Sequence, residues 1–142
     1  MGADHGGYSL KEIIKQHLVE AGHEVLDLGT HDTGSCHYPE YAEKVAYAVV
    51  DRDADLGILV CGTGIGMSMA ANKIKGVRAA ALSDCFTAEA TRRHNDANVL
   101  CLGERTVGPG LALRLTDIFL RTEFEGGRHQ TRVDMMMALE EK

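Results

Sequence analysis

Cys61 closes the apolar run Leu56 to Val60 and is followed at once by Gly62, Thr63, Gly64, Ile65 and Gly66. A thiol can act as a nucleophile or a base when its surroundings stabilise the thiolate. Glycine-rich backbone lets a ligand approach closely, and a helix start offers unpaired N–H groups and partial positive charge. A strand ending at Val60 and a helix opening near Met67 to Asn72 would place Cys61 on such a turn. The turn would both hold an anion and sharpen the thiol. Each part also has a plainer explanation. Cysteine often fills cores as a small hydrophobe, and glycine-rich strand-to-helix turns are common. The combination is what points to chemistry.

A chain of 142 residues suits a single domain over 1–142, burying roughly two-thirds of its unfolded surface. No apolar run reaches the length of a membrane span, and no charged-then-apolar leader opens the sequence, so a soluble, cytoplasmic protein is expected. The net charge of −6 disfavours a general nucleic-acid surface, which needs a basic face. Any phosphate bound should be small and met locally. Cysteines at 36, 61, 85 and 101 form no C-x-x-C pair, which speaks against structural zinc and suggests reduced thiols.

The elements that must position Cys61 alternate between strand-like and helix-like. Ser9 and Glu12 form a capping-box pattern ahead of a helix whose face is Leu10, Ile13, Ile14, His17, Leu18 and Ala21, and Gly22 ends it. Val25 to Leu28, Leu56 to Val60, Ala79 to Leu82 and Val99 to Leu102 read as strands. Glu40 to Val50, Phe86 to His94, Leu111 to Leu120 and Thr131 to Leu139 read as helices. With a first strand ahead of Asp4, this pattern predicts a three-layer α/β/α sandwich on a five-stranded parallel, Rossmann-like sheet. Only Met1, Gly2 and Ala3 precede Asp4, so that first strand is expected to be truncated.

Ligands of such sheets bind beyond the carboxyl ends of the strands. The loops expected there carry Asp4 to Gly7, Cys61 to Gly66, Ser83 with Asp84, and Gly103 to Arg105.

Five segments in order then carry a resemblance: ADHGG (Ala3 to Gly7), CGTGIG (Cys61 to Gly66), AANK (Ala70 to Lys73), RHNDANVL (Arg93 to Leu100) and GGRHQTRV (Gly126 to Val133). Together they closely resemble type B ribose-5-phosphate isomerase, a family that includes allose- and galactose-6-phosphate isomerases. The resemblance implies an aldose–ketose isomerase that interconverts ribose 5-phosphate and ribulose 5-phosphate without metal or organic cofactor. By the same resemblance Cys61 is the base, and the backbone N–H groups of Gly62, Thr63, Gly64, Ile65 and Gly66 form the anion hole. His94 assists ring opening with Thr63 nearby, Asn95 and Asp4 orient hydroxyls, and Tyr38 lines the pocket. Arg105, Arg128 and Arg132, with His5, hold the phosphate. The family implies a homodimer or tetramer with its site near the subunit boundary. The C-terminal helix, about 129–140, with Met135, Met136 and Met137, is expected to contact the partner.

Arg128 and Arg132 are four apart, so on a helix they share one face and can grip one phosphate. Without the resemblance, they would read as a solvated basic turn and His94 as a helix-end surface residue. Other classes fit less well. A dinucleotide fingerprint counted from Gly62 requires glycine where Met67 stands, and a cysteine phosphatase requires an arginine soon after the thiol. Relatives with a glutamate base place it downstream of the turn, where this chain has Ala70. A six-carbon sugar phosphate and a non-catalytic sugar-phosphate-binding subunit remain the alternative readings.

Overall fold

The computed structural model describes residues 1–142, which fold as a parallel sheet with six α-helices. In chain order these are β1 (Gly2–Ala3), α1 (Tyr8–Glu20), α2 (Tyr38–Val50), β2 (Gly57–Cys61), α3 (Ile65–Ala71), β3 (Ala79–Ala81), α4 (Cys85–Asn95), β4 (Val99–Gly103), α5 (Pro109–Arg121) and α6 (Arg128–Met137). A short 3₁₀ turn, Ala138–Glu141, follows. The sheet order is β1-β2-β4-β3, parallel throughout.

Alternation along β2 and β4 explains the layers, since successive side chains point to opposite faces. Ile58, Val60, Leu100 and Leu102 face a core closed by Leu10, Ile14 and Leu18 of α1, Ala88 of α4 and Leu115 and Phe119 of α5. Leu59, Cys61, Val99 and Cys101 face a second core with Val45 and Val49 of α2 and Met67 and Ala71 of α3. Both faces of the sheet are covered, so β2 and β4 are buried along their whole length.

Two expectations need correction. The sheet has four strands, not five. Val25 to Leu28 does run beside β1, with Leu28 N–H donating to Met1 O (2.9 Å) and Thr30 N–H to Ala3 O (2.8 Å). But β1 is two residues long and offers too short a ladder for regular pairing. The capping box is also absent: Gly7 is the N-cap of α1, without a side-chain bond, and Ser9 already lies inside the helix. Glu104 takes over that task from 94 residues away, its Oε2 accepting Leu10 N–H at 2.9 Å. Glu12 instead pairs with Lys11 and Lys15.

That pairing belongs to a network behind the first loop. The Lys11 side chain is fully buried, with its Nζ 2.8 Å from Asp27 Oδ1 and 2.9 Å from Glu12 Oε1. Asp27 also accepts from Lys15 and from Gly29 N–H. Burial alone would raise the Asp27 pKa, but the two lysines and the Gly29 N–H outweigh it and hold this carboxyl well below the usual aspartate range.

Candidate active site

The chain leaves β1 through α1 toward one side and reaches β2 on the other side through α2. The crevice between the carboxyl ends of β1 and β2 is therefore the topological switch point of the sheet. Asp4 follows β1 there, and Cys61 ends β2. The two loops touch: a Cβ on Gly6 would stand 3.4 Å from Gly62 N. Asp4 is buried, and its Oδ1 accepts Gly6 N–H at 2.9 Å.

Cys61 is 5 % exposed, and its Sγ accepts the Gly64 N–H at 3.1 Å. Gly64 adopts φ +78°, a left-handed conformation that L side chains rarely occupy, and this swings its N–H back toward the sulfur. α3 starts at Ile65, two residues earlier than Met67 suggested. The N–H groups of Gly62 and Thr63 donate to no protein group.

β4 supplies the next wall. Cys61 lies opposite Gly103, and past that point Arg105 N–H donates to Gly62 O (3.0 Å) while its guanidinium spreads over Gly62. A Cβ on Gly62 would lie 3.4 Å from Arg105 Nη1, and one on Gly66 would lie 3.0 Å from the Tyr38 ring. His5 stands on the rim, accepting Cys36 N–H at Nδ1 (3.2 Å). One end of one chain thus gathers Asp4, His5, Tyr38, Gly62, Thr63, Gly64, Ile65, Gly66, Arg105 and Cys61. Cys101 lies deeper on the same face, where burial pushes its thiol far up and excludes it from chemistry.

The remaining site candidates lie elsewhere. α4 starts at the carboxyl end of β3 and runs back, so His94 and Asn95 come just before β4 begins at Val99. Cys61 pairs with the opposite end of β4, four residues or about 13 Å farther along. The loop between is pinned to the amino end of β3, with Asn98 Oδ1 accepting Arg78 N–H (2.7 Å) and Asn98 Nδ2 donating to Gly76 O (2.9 Å). His94 and Cys61 occupy opposite ends of the sheet.

Around His94 stands a second cluster. Arg128 and Arg132 lie one turn apart on α6, as their spacing implied, and both are exposed with no carboxylate within ion-pair distance. The His94 and His129 rings stack with centroids 4.3 Å apart and planes 13° from parallel. Glu125 Oε2 is 3.8 Å from His94 Nε2 and 3.4 Å from His129 Nε2, and Glu125 also pairs with Arg93. Burial is the main cause that lowers the His129 pKa, followed by His94 and Arg128 nearby. Glu125, beside Arg93, stays below the usual glutamate range.

His94, Glu125 and His129 place one donor atom each within 4.8 Å of one another. Parallel stacked rings aim their lone pairs side by side rather than at a common ion, so joint coordination would require one ring to turn. Glu125 and His129 are not among the site residues expected from the sequence. His129 stands inside GGRHQTRV between the two arginines, a readable signal, whereas Glu125 carries none.

With this geometry, the likenesses to known proteins are informative. The Ribose/Galactose Isomerase family matches residues 1–136. The chain is 49 % identical over 141 residues to ribose-5-phosphate isomerase B of Escherichia coli, covering 99 % of this chain and 95 % of that one. A solved Clostridium thermocellum ribose-5-phosphate isomerase B superposes with a TM-score of 0.98 at 51 % identity, covering 99 % of this chain and 95 % of that one. The Mycoplasma genitalium enzyme, solved with bound ribulose-5-phosphate, superposes at 0.94 with 45 % identity, covering 99 % and 94 %. A parallel α/β sheet with a thiol at its switch point, matched over nearly its whole length, places this chain in the ribose/galactose isomerase family.

Proposed function

We propose that the chain interconverts ribose 5-phosphate and ribulose 5-phosphate, with Cys61 as the base. The observation that carries this reading is the Cys61 sulfur at the switch point, accepting the Gly64 N–H beside an exposed arginine fork. Cys61 removes the C2 proton of the open-chain aldose, the electron pair moves onto the carbonyl oxygen O1, the O2 hydroxyl proton passes to O1, and the resulting enediolate takes the first proton back at C1 as the C2 carbonyl forms. N–H groups of the Gly62 to Gly66 turn face the charge that develops on oxygen. Asp4 orients a hydroxyl, Tyr38 walls the pocket, and Arg105 with His5 meets the phosphate. No step in this scheme calls for a metal or an organic cofactor.

The other half of the site comes from a second copy. His94 donates a proton to the furanose ring oxygen to open the ring, with Thr63 beside that oxygen, Asn95 on a hydroxyl, and Arg128 and Arg132 on the phosphate. Because His94 lies at the opposite end of the sheet from Cys61, only another chain can bring it to the thiol. A homodimer, alone or paired into a tetramer, has two such sites. Apolar side chains left in solvent support this: Phe86 is 78 % exposed, Met69 64 % and Met135 67 %. α6 and the 3₁₀ turn that follows it, with Met135, Met136 and Leu139 exposed, form the segment we assign to the partner contact.

The direct experiment follows ribulose 5-phosphate formation from ribose 5-phosphate in chelator-treated buffer. Turnover by the parent supports the reading. A folded but silent parent that turns over allose or galactose 6-phosphate would establish the six-carbon alternative. A chain that binds ribose 5-phosphate and converts none of these sugars would be a binding subunit.

A further inference from the structure

The cluster around His94 is more elaborate than a proton donor requires. Gly126 and Gly127, at φ +66° and +56°, turn the chain sharply between Glu125 and α6. This turn brings His129 flat against His94. Glu125 is fixed from two sides: its N–H donates to Arg93 O at 3.0 Å, and its Oε1 pairs with the Arg93 guanidinium, which also holds Glu89 at 2.9 Å. What remains of the carboxylate, Oε2, faces both imidazoles.

The charges around the two rings are Arg93 on α4, Glu125 in the loop, and Arg128 and Arg132 on α6. Two imidazolium rings stacked at 4.3 Å would repel each other, and one carboxylate already paired with Arg93 cannot offset both. The His129 side chain is 10 % exposed and the His94 side chain 43 %. Burial penalises the cation on the His129 ring, and His94 is the ring that solvent and substrate can reach.

We propose that Glu125 and His129 are positioning residues for His94, the stacked His129 ring fixing the plane of the imidazole and the Glu125 carboxylate, 3.8 Å from its Nε2, fixing the direction in which that edge points. This deepens the proposed function and rests on His94 serving as the ring-opening acid. Ring opening then meets an acid already oriented, rather than one that must be assembled on each turnover.

A separation of steps tests the idea. Ribulose 5-phosphate carries its phosphate on C5 and cannot close to a furanose, so exchange of its C1 hydron with solvent deuterium needs Cys61 but no ring opening. Conversion of ribose 5-phosphate needs both. Glu125→Gln and His129→Ala should each slow ribose 5-phosphate conversion about 10- to 100-fold and leave the C1 exchange rate near that of the parent. His129→Phe, which keeps a stacking ring, should recover most of the loss. Equal losses in both reactions would mean a structural role and overturn the proposal, as would no loss in either. His94→Asn separates the two levels. If it selectively slows conversion while Glu125→Gln and His129→Ala do not, the positioning role alone fails. If His94→Asn leaves conversion unchanged, the acid assignment fails as well.

Discussion

The two ends of the sheet are built differently. The Cys61 end is backbone architecture: a buried strand terminus, a glycine turn and neighbouring loops joined by main-chain bonds such as Glu104 N–H to Cys61 O at 2.9 Å. The His94 end is side-chain architecture, in which helix ends and a loop are joined through Arg93, Glu125 and two stacked rings, largely in reach of solvent. A base that must face a developing anion benefits from rigid N–H donors, because preorganised dipoles need no rearrangement as charge appears. An acid that works on the sugar ring from a second copy has to stand on a surface that can dock. On this view the difference follows from which end receives the substrate and which end is delivered to it.

The sharpest way to break the comparison is to remove the thiol. Cys61→Ala should lower kcat for ribose 5-phosphate by about 10²- to 10⁴-fold, the range of general base catalysis. Ribose 5-phosphate binding measured by calorimetry should survive, and its loss in step with turnover would make Cys61 a structural residue.

Next comes the support under the first end. Asp27→Asn leaves fully buried Lys11 with Glu12 as its remaining partner and should cost about 3 kcal/mol, the lower part of the range for breaking a buried pair. The Asp27 pKa is depressed in the folded state. Its stabilisation is therefore complete above the ordinary aspartate value of 3.8 and fades only as pH falls below that value. Urea midpoints of parent and variant should differ fully at pH 7 and converge in acid. A gap that widens in acid would contradict this.

The smallest expected effect belongs to the second end. Arg132→Ala removes one charged hydrogen-bonding fork and should raise KM for ribose 5-phosphate about 10- to 100-fold with little change in kcat. Steady-state kinetics decide it, and an unchanged KM would take Arg132 out of the phosphate grip.

The sequence disclosed these two ends unequally, for physical reasons. The Cys61 turn is local: strand, thiol, glycines and helix are contiguous, and the structure places them as spacing predicts. The arginine pair on α6 is also local and was legible. The capping of α1 was not, because Glu104 reaches Leu10 N–H across 94 residues, and a suitable local pattern at Ser9 and Glu12 pointed elsewhere. Val25 to Leu28 has strand composition, yet strand formation depends on a neighbour, and β1 supplies two residues. Glu125 lies in a polar loop with no periodicity around it, so only the fold reveals that it faces His94 and His129.

The central claim is that Cys61 of one chain works with His94 of another, and subunit mixing tests it most directly. Cys61→Ala and His94→Asn chains, each nearly inactive alone, are unfolded, mixed in equal amounts and refolded together. If sites are shared, random pairing gives hybrids in which one of two sites carries both Cys61 and His94, and activity should return to about a quarter of the parent level. Mixed chains that co-assemble yet remain as inactive as either variant would contradict the claim and confine the chemistry to one subunit.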